Sequence, residues 1–200
     1  PKHKDFPMSI QTVGIIGAGT MGNGIAQACA VSGVNVVMVD ISEAAVAKGL
    51  ATVASSLDRL IKKEKITEAD KTAALSRITT STSYDDLKRT QLVIEAATEN
   101  FDLKVKILKQ VDALLDPSVI VASNTSGLSI TKMSEALPEA VRPRFCGIHF
   151  FNPVPMMALV EVVVGAETAD DAQPRGRAQV GAHEAAGVFE IEVLVARRGR

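Results

Sequence analysis

The hexapeptide Gly17-Ala-Gly-Thr-Met-Gly22 follows the apolar run Thr12–Ile16 and precedes a stretch of small residues that Gly33 punctuates. A G-x-G-x-x-G turn between a strand and a helix leaves few ways to fold. Its first glycine permits a tight turn, its second lets the backbone approach a pyrophosphate, and its third lets helix and strand pack closely. The pattern predicts a turn over Gly17–Gly22 and a helix over Asn23–Ser32. A second strand, Val34–Val39, ends in Asp40. Strand, helix and strand within about thirty residues make a right-handed βαβ unit, and that unit requires parallel strands.

The same alternation runs on. Ser42–Lys65 predicts a long helix, with Ser42 as its cap and Val46, Leu50, Val53, Leu57, Leu60 and Ile61 at helical spacing. Its end is basic, at Arg59, Lys62, Lys63 and Lys65, and a shorter helix follows over Thr67–Leu75. Leu92–Ala97 reads as a strand, Asp102–Leu115 as a helix ended by Pro117, and Val119–Ser123 as a strand. Ser129–Leu137 reads as a helix, and Phe145–Phe150 and Leu159–Val164 as strands. The expected fold is α/β: a doubly wound, mostly parallel, Rossmann-type sheet.

Composition narrows the function classes. With 46% hydrophobic and 22% charged residues the chain can bury a sizeable core, and 4% aromatics without Trp make that core aliphatic. A net charge of −1 provides no global basic field for nucleic acid or an anionic membrane. Cys29 and Cys146 are far apart and in no metal-like spacing, so reduced thiols and no metal site are expected. No apolar run reaches the ~20 residues of a membrane span. The N-terminal PKHKDFPM lacks the hydrophobic region of a signal peptide, and a cytoplasmic location is expected. Met8 is a candidate natural start, with residues 1–7 an upstream leader or a cloning remnant.

Two features point to chemistry. Asp40 lies 21 residues after Gly19, where a carboxylate can accept hydrogen bonds from an adenosine ribose; the alternative is a cap on the following helix. No Arg or Lys occurs in the seven residues after it, which favours NAD over NADP. The apolar stretch GIHFFNPVPMMALVEVV carries one histidine, His149, and one carboxylate, Glu161. A dehydrogenase needs a proton acceptor beside the carbon that gives up hydride, and imidazole exchanges protons near neutral pH. Glu161 could orient His149 if the two strands lie side by side. The alternatives are a core histidine and a solvent-facing glutamate.

The segments GIIGAGTMGNGIAQACA, SNTSGLSIT and GIHFFNPVPMMALVEVV closely resemble the L-3-hydroxyacyl-CoA dehydrogenase family, particularly its bacterial 3-hydroxybutyryl-CoA members, over about Ile10 to Glu167. The resemblance implies reversible, NAD-dependent oxidation of a (3S)-3-hydroxyacyl-CoA to a 3-ketoacyl-CoA. It makes His149 the base, Glu161 its acidic partner and Ser126 the contact to the reacting oxygen, against a turn or capping serine as the alternative. It assigns Gly17, Gly19, Thr20, Met21, Gly22, Asp40 and Asn152 to the cofactor. Glu99 and Lys104 are implied near the nicotinamide ribose; the alternative is a salt-bridged pair at a helix start. Ser56 and Lys63 fall where the family contacts coenzyme A, Lys63 having the alternative of a helix-dipole partner.

Two departures accompany the resemblance. Ala158 stands where many relatives carry lysine. The family continues into a helical domain of about a hundred residues, with a PGF-containing motif and the homodimer interface, and this chain has no such motif. No lysine occurs after Lys132, while half of the ten arginines lie at or beyond Arg175. The expected layout is therefore an NAD-binding domain over 8–167 and an atypical tail over 168–200, arising from truncation or a changed reading frame near Asp170. Within that tail Val188–Val195 has a strand pattern. The expected outcome for this chain is NAD binding with poor turnover. A non-catalytic NAD-binding module is the competing reading, and a dehydrogenase of sugar acids is a third that SNTSGLSIT and HFFNP disfavour.

Overall fold

The computed structural model describes residues 10–157 and 159–169 in full and residues 192–197 by their backbone. Thr12–Ile16 (β1), Asn35–Val39 (β2), Ile78–Ser81 (β3), Leu92–Glu95 (β4), Ile120–Ser123 (β5), Phe145–Phe150 (β6), Leu159–Val164 (β7) and Glu192–Arg197 (β8) form one sheet. Its order is β3-β2-β1-β4-β5-β6-β7-β8. Every pairing is parallel except β6 with β7. The order reverses at β1, whose neighbours are β2 and β4, and the crevice outside the strand ends at such a point is where doubly wound folds take ligands.

Helices cover both faces. On one, Thr20–Val31 (α1), Glu43–Lys62 (α2) and Glu68–Ser76 (α3) close a core around Ile15, Ile25, Met38, Val53 and Leu57. On the other, Phe101–Asp112 (α4) and Ile130–Ala136 (α5) close a core around Ile16, Val93, Leu108, Val121 and Phe145. With β strands buried on both faces, the near-continuous apolar runs of β1, β2 and β4 follow.

Caps account for the helix boundaries. The Ser42 side chain accepts from the Ala45 N–H, Glu43 sits in the first turn of α2, and Arg59 and Lys62 sit in the last. Thr67 and Asp70 form a capping box on α3. Asn100 Oδ1 accepts from Leu103 N–H at 2.9 Å, so α4 begins at Phe101.

Several boundaries differ from expectation. Helix α1 starts at Thr20 rather than Asn23, because Gly19 is already the extended N-cap residue and the chain turns helical immediately after it. Strand β4 stops at Glu95, two residues early, where the chain leaves the sheet. Helix α4 ends at Asp112 rather than Leu115. Strand β3 and the 3-10 turn Tyr84–Arg89 carry too little apolar pattern to be read; ITTS is an edge strand with one buried residue, Ile78. The tail strand is observed at Glu192–Arg197, parallel to β7; of the expected Val188–Val195, residues 188–191 lie outside the described residues, as do 1–9, Ala158 and 170–187. Among the described residues no helix is long and apolar enough to cross a membrane.

Candidate active site

The glycine turn sits at the C-terminal end of β1. Gly17 has φ +100°, and a Cβ there would stand 2.7 Å from Ala97 Cα. Its N–H donates to Val39 O at 2.7 Å, which ties the turn to β2. A Cβ at Gly22 would meet Gly17 O at 1.7 Å, so this position tolerates nothing larger. Gly19 has no atom within 4 Å of a built Cβ: the space above it is open. Gly19 and Thr20 are exposed and Met21 packs partly against the core. Such a turn, with unpaired N–H groups at the start of α1, fits a pyrophosphate.

Asp40 holds the turn from the side. Its Oδ2 accepts from Ala18 N–H at 2.7 Å and its Oδ1 from Ile41 N–H at 2.6 Å. The cap of α2 is Ser42, so the capping alternative for Asp40 is set aside. An ionised carboxylate has about four lone-pair sites, so both oxygens can still accept from ribose hydroxyls.

Farther along the sheet, β6 and β7 place His149 directly opposite Glu161. His149 Nδ1 lies 2.9 Å from Glu161 Oε2. With Glu161 ionised this bond requires Nδ1 to donate, which in a neutral imidazole leaves Nε2 as the acceptor. Side-chain exposures of 20% and 39% leave the pair partly open to solvent. Phe151 covers one side of the imidazole, with ring centroids 4.5 Å apart. The histidine is half-buried rather than sealed in the core, and the glutamate, though partly open to water, faces it across the strand pair.

The loop after β5 carries Ser126, which is exposed. The cap of α5 is Ser129, whose side chain accepts from Lys132 N–H, so Ser126 is not the capping serine. Glu99 Oε1 accepts from Thr125 Oγ1 and from Gly127 N–H, gripping the loop on both sides of Ser126. Lys104, implied near the nicotinamide ribose, is buried and paired. Its side chain is 0% exposed and its Nζ lies 2.7 Å from Glu95 Oε2, 3.2 Å from Ser123 Oγ and 3.3 Å from Asn124 O. Glu99, at 3.8 Å, is the more distant carboxylate, so the ion pair runs mainly to Glu95. Burial decides this: a buried lysine and a buried glutamate must meet.

A cavity of about 560 Å³ lies between α1, α2 and the turn at Val154–Met156. Ser56, Lys63 and Asn152 line it, with Thr20 from the glycine turn and Arg59 and Lys65 at the basic rim. Gly24 lets the turn pack on α1; a Cβ there would meet Val154 Cβ at 3.0 Å. His149, Glu161 and Ser126 do not line this cavity. Sequence reasoning passed over Glu95, Ser123 and Asn124. The signal available was a glutamate closing the otherwise apolar strand LVIE.

Residues 12–181 match the family model of the 3-hydroxyacyl-CoA dehydrogenase NAD binding domain. The chain belongs to this family. Family members include the 3-hydroxybutyryl-CoA dehydrogenase of Bradyrhizobium diazoefficiens, 48% identical over 162 residues, which cover 80% of this chain and 54% of that protein. The alpha subunit of the fatty acid oxidation complex of Acinetobacter baylyi is 40% identical over 86% of this chain and 24% of its own length. Among solved structures, the (S)-3-hydroxybutyryl-CoA dehydrogenase of Ralstonia eutropha superposes with a TM-score of 0.85 at 62% identity, over 96% of this chain and 65% of that one. The chain thus spans about half to two thirds of these dehydrogenases. The family's cofactor is NAD, and the open space over Gly19 with Asp40 beside it fits that cofactor.

Proposed function

We propose that the protein carrying this chain is an NAD-dependent (3S)-3-hydroxyacyl-CoA dehydrogenase, with 3-hydroxybutyryl-CoA as the substrate its named relatives indicate. Residues 8–167 form its cofactor-binding unit, and its free thiols, Cys29 and Cys146, accord with a cytoplasmic setting. Gly17, Gly19, Thr20, Met21 and Gly22 seat the pyrophosphate, Asp40 takes the adenosine ribose, and Glu99 and Asn152 lie toward the nicotinamide side. Held by these residues, NAD would supply the acceptor for the hydride leaving C3 of the substrate. His149 Nε2 takes the proton from the 3-hydroxyl, and Glu161 stabilises the imidazolium that results. Ser126 donates to the same oxygen and holds it toward the ring. In the reverse direction the imidazolium returns the proton. Ser56 and Lys63, in the cavity between α1 and α2, bind the coenzyme A moiety, where an ammonium suits phosphate.

The observation that carries this reading is the 2.9 Å contact between His149 Nδ1 and Glu161 Oε2. The test is NADH consumption with acetoacetyl-CoA by the intact protein. His149→Gln is expected to lower the rate by about 10²–10⁴, the usual contribution of a general base, with NAD affinity retained. Cofactor binding without consumption in the unaltered protein would instead identify an NAD-holding module.

A further inference from the structure

We infer that Asn124 is a positioning residue for His149: its side chain fixes the end of β6 against the loop that carries Ser126. The inference rests on the reading of His149 as the base. The β5–β6 ladder ends at the pair Ser123 and Gly147. Phe150, the residue after His149, lies three positions beyond that last pair, so no backbone carbonyl of β5 is in register with its N–H. Asn124 supplies the missing acceptor, its Oδ1 taking the Phe150 N–H at 3.0 Å in a buried setting.

Asn124 is itself held from two further directions. Its own N–H donates to Glu95 O at 2.7 Å, and its carbonyl accepts from Lys104 Nζ at 3.3 Å. Lys104 is in turn locked by Glu95 and Ser123, all three side chains buried. The end of β6 is therefore gripped on both edges, by Asn124 toward β5 and by the pairing of His149 with Glu161 toward β7. Ser126 lies two residues beyond Asn124. One asparagine thus spans the distance between the strand that bears the base and the loop that bears the hydroxyl. Asparagine suits the place because its carbonyl oxygen extends the ladder by one bond without adding a charge. An alanine there would leave the Phe150 N–H buried and unpaired, and the strand end would move to recover a partner.

Three measurements test this. In the unaltered chain the Phe150 amide should exchange with solvent at least about 100-fold more slowly than an exposed amide, despite lying past the ladder. Exchange at the exposed rate overturns the inference, whatever the variants do. Nitrogen-15 spectra of the His149 imidazole report which nitrogen carries the hydrogen. Asn124→Ala should lose the Nδ1–H signature that Glu161 enforces, and Asn124→Asp, which keeps an acceptor for Phe150, should retain it. An unchanged signature in Asn124→Ala overturns the inference, and so does its loss in both variants. If Asn124→Ala does not fold, the Asp variant and the Phe150 exchange rate decide. In the intact protein Asn124→Ala should lower kcat about ten- to a hundredfold with the KM for NAD unchanged, as expected for a misplaced group. An active His149→Gln would sink the base reading itself. An inactive His149→Gln beside an Asn124→Ala variant with normal kcat would sink only the positioning role.

Discussion

At the scale of single residues, the glycines of the turn do different jobs and should fail differently. Gly22 has no room for a methyl group, so Gly22→Ala is expected to disrupt the turn, lowering the melting temperature as well as NAD affinity. Gly19 has ordinary φ of −66° and nothing near it. Gly19→Ala should fold as well as the parent or gain about 0.4–1 kcal/mol, because the unfolded chain loses freedom. The methyl group would occupy the space reserved for the pyrophosphate, so NAD affinity should fall at least about tenfold. Calorimetric melting and NAD titration of both variants separate a packing glycine from a ligand-facing one. Cys29 and Cys146 make a second residue-scale case. Burial pushes both thiols up from 9.0 to about 12, so neither should react with a thiol reagent near neutral pH until the protein unfolds.

At the scale of elements, the joint between β4, β5 and α4 is an ion pair inside the fold. Lys104→Met strands the Glu95 carboxylate in the core, and a broken buried pair typically costs about 3–5 kcal/mol. Adding Glu95→Gln removes the uncompensated charge and should restore most of the loss in urea unfolding. A double variant as unstable as the single one would show that Lys104 acts through packing alone. This joint also marks where the sequence could be read and where it could not. Strands β6 and β7, and the cap Ser42, follow from local pattern, because apolar runs and capping chemistry are written into neighbouring residues. The opposition of His149 and Glu161 was legible too, since a short proline-bearing turn joins their strands. The partner of Lys104 was not. A lysine at the first turn of a helix looks solvated, and only the packing of three elements reveals that it is sealed against Glu95, nine residues earlier. The start of α1 was misread for a similar reason: three residues inside the glycine motif are already helical, which composition alone opposes.

For the whole molecule, the shifted groups set an alkaline limit. Burial raises Cys29, Cys146 and Tyr84, so each stays protonated in the native state at a pH where the unfolded chain would release its proton. Lys71 is raised by its bond to Asp58 and loses that support as it deprotonates. In every case the native state binds more protons than the unfolded one, so stability must fall as pH rises above about 9. Each thiol contributes a slope of up to about 1.4 kcal/mol per pH unit. Urea midpoints between about pH 8 and 10.5 should decline, and more gently once Cys29 and Cys146 are both alanine. On the acid side, Asp85 and Asp116 are lowered by their bonds to Lys88 and Ser118; their contribution holds above the ordinary carboxylate range and fades below it.

The antiparallel pairing of β6 and β7 sets His149 and Glu161 only twelve positions apart along the chain, whereas the other strand pairs of the sheet are parallel. Closing so short a loop costs little entropy, while the cofactor crevice has to await crossovers between distant segments. The proton-handling ribbon should therefore assemble early in folding, with the amides of His149 and Glu161 gaining exchange protection before those of Phe150, Gly17 and Ala96 in pulse-labelling. Hydride chemistry depends on the tertiary fold as a whole; its acid–base half is encoded within a single hairpin.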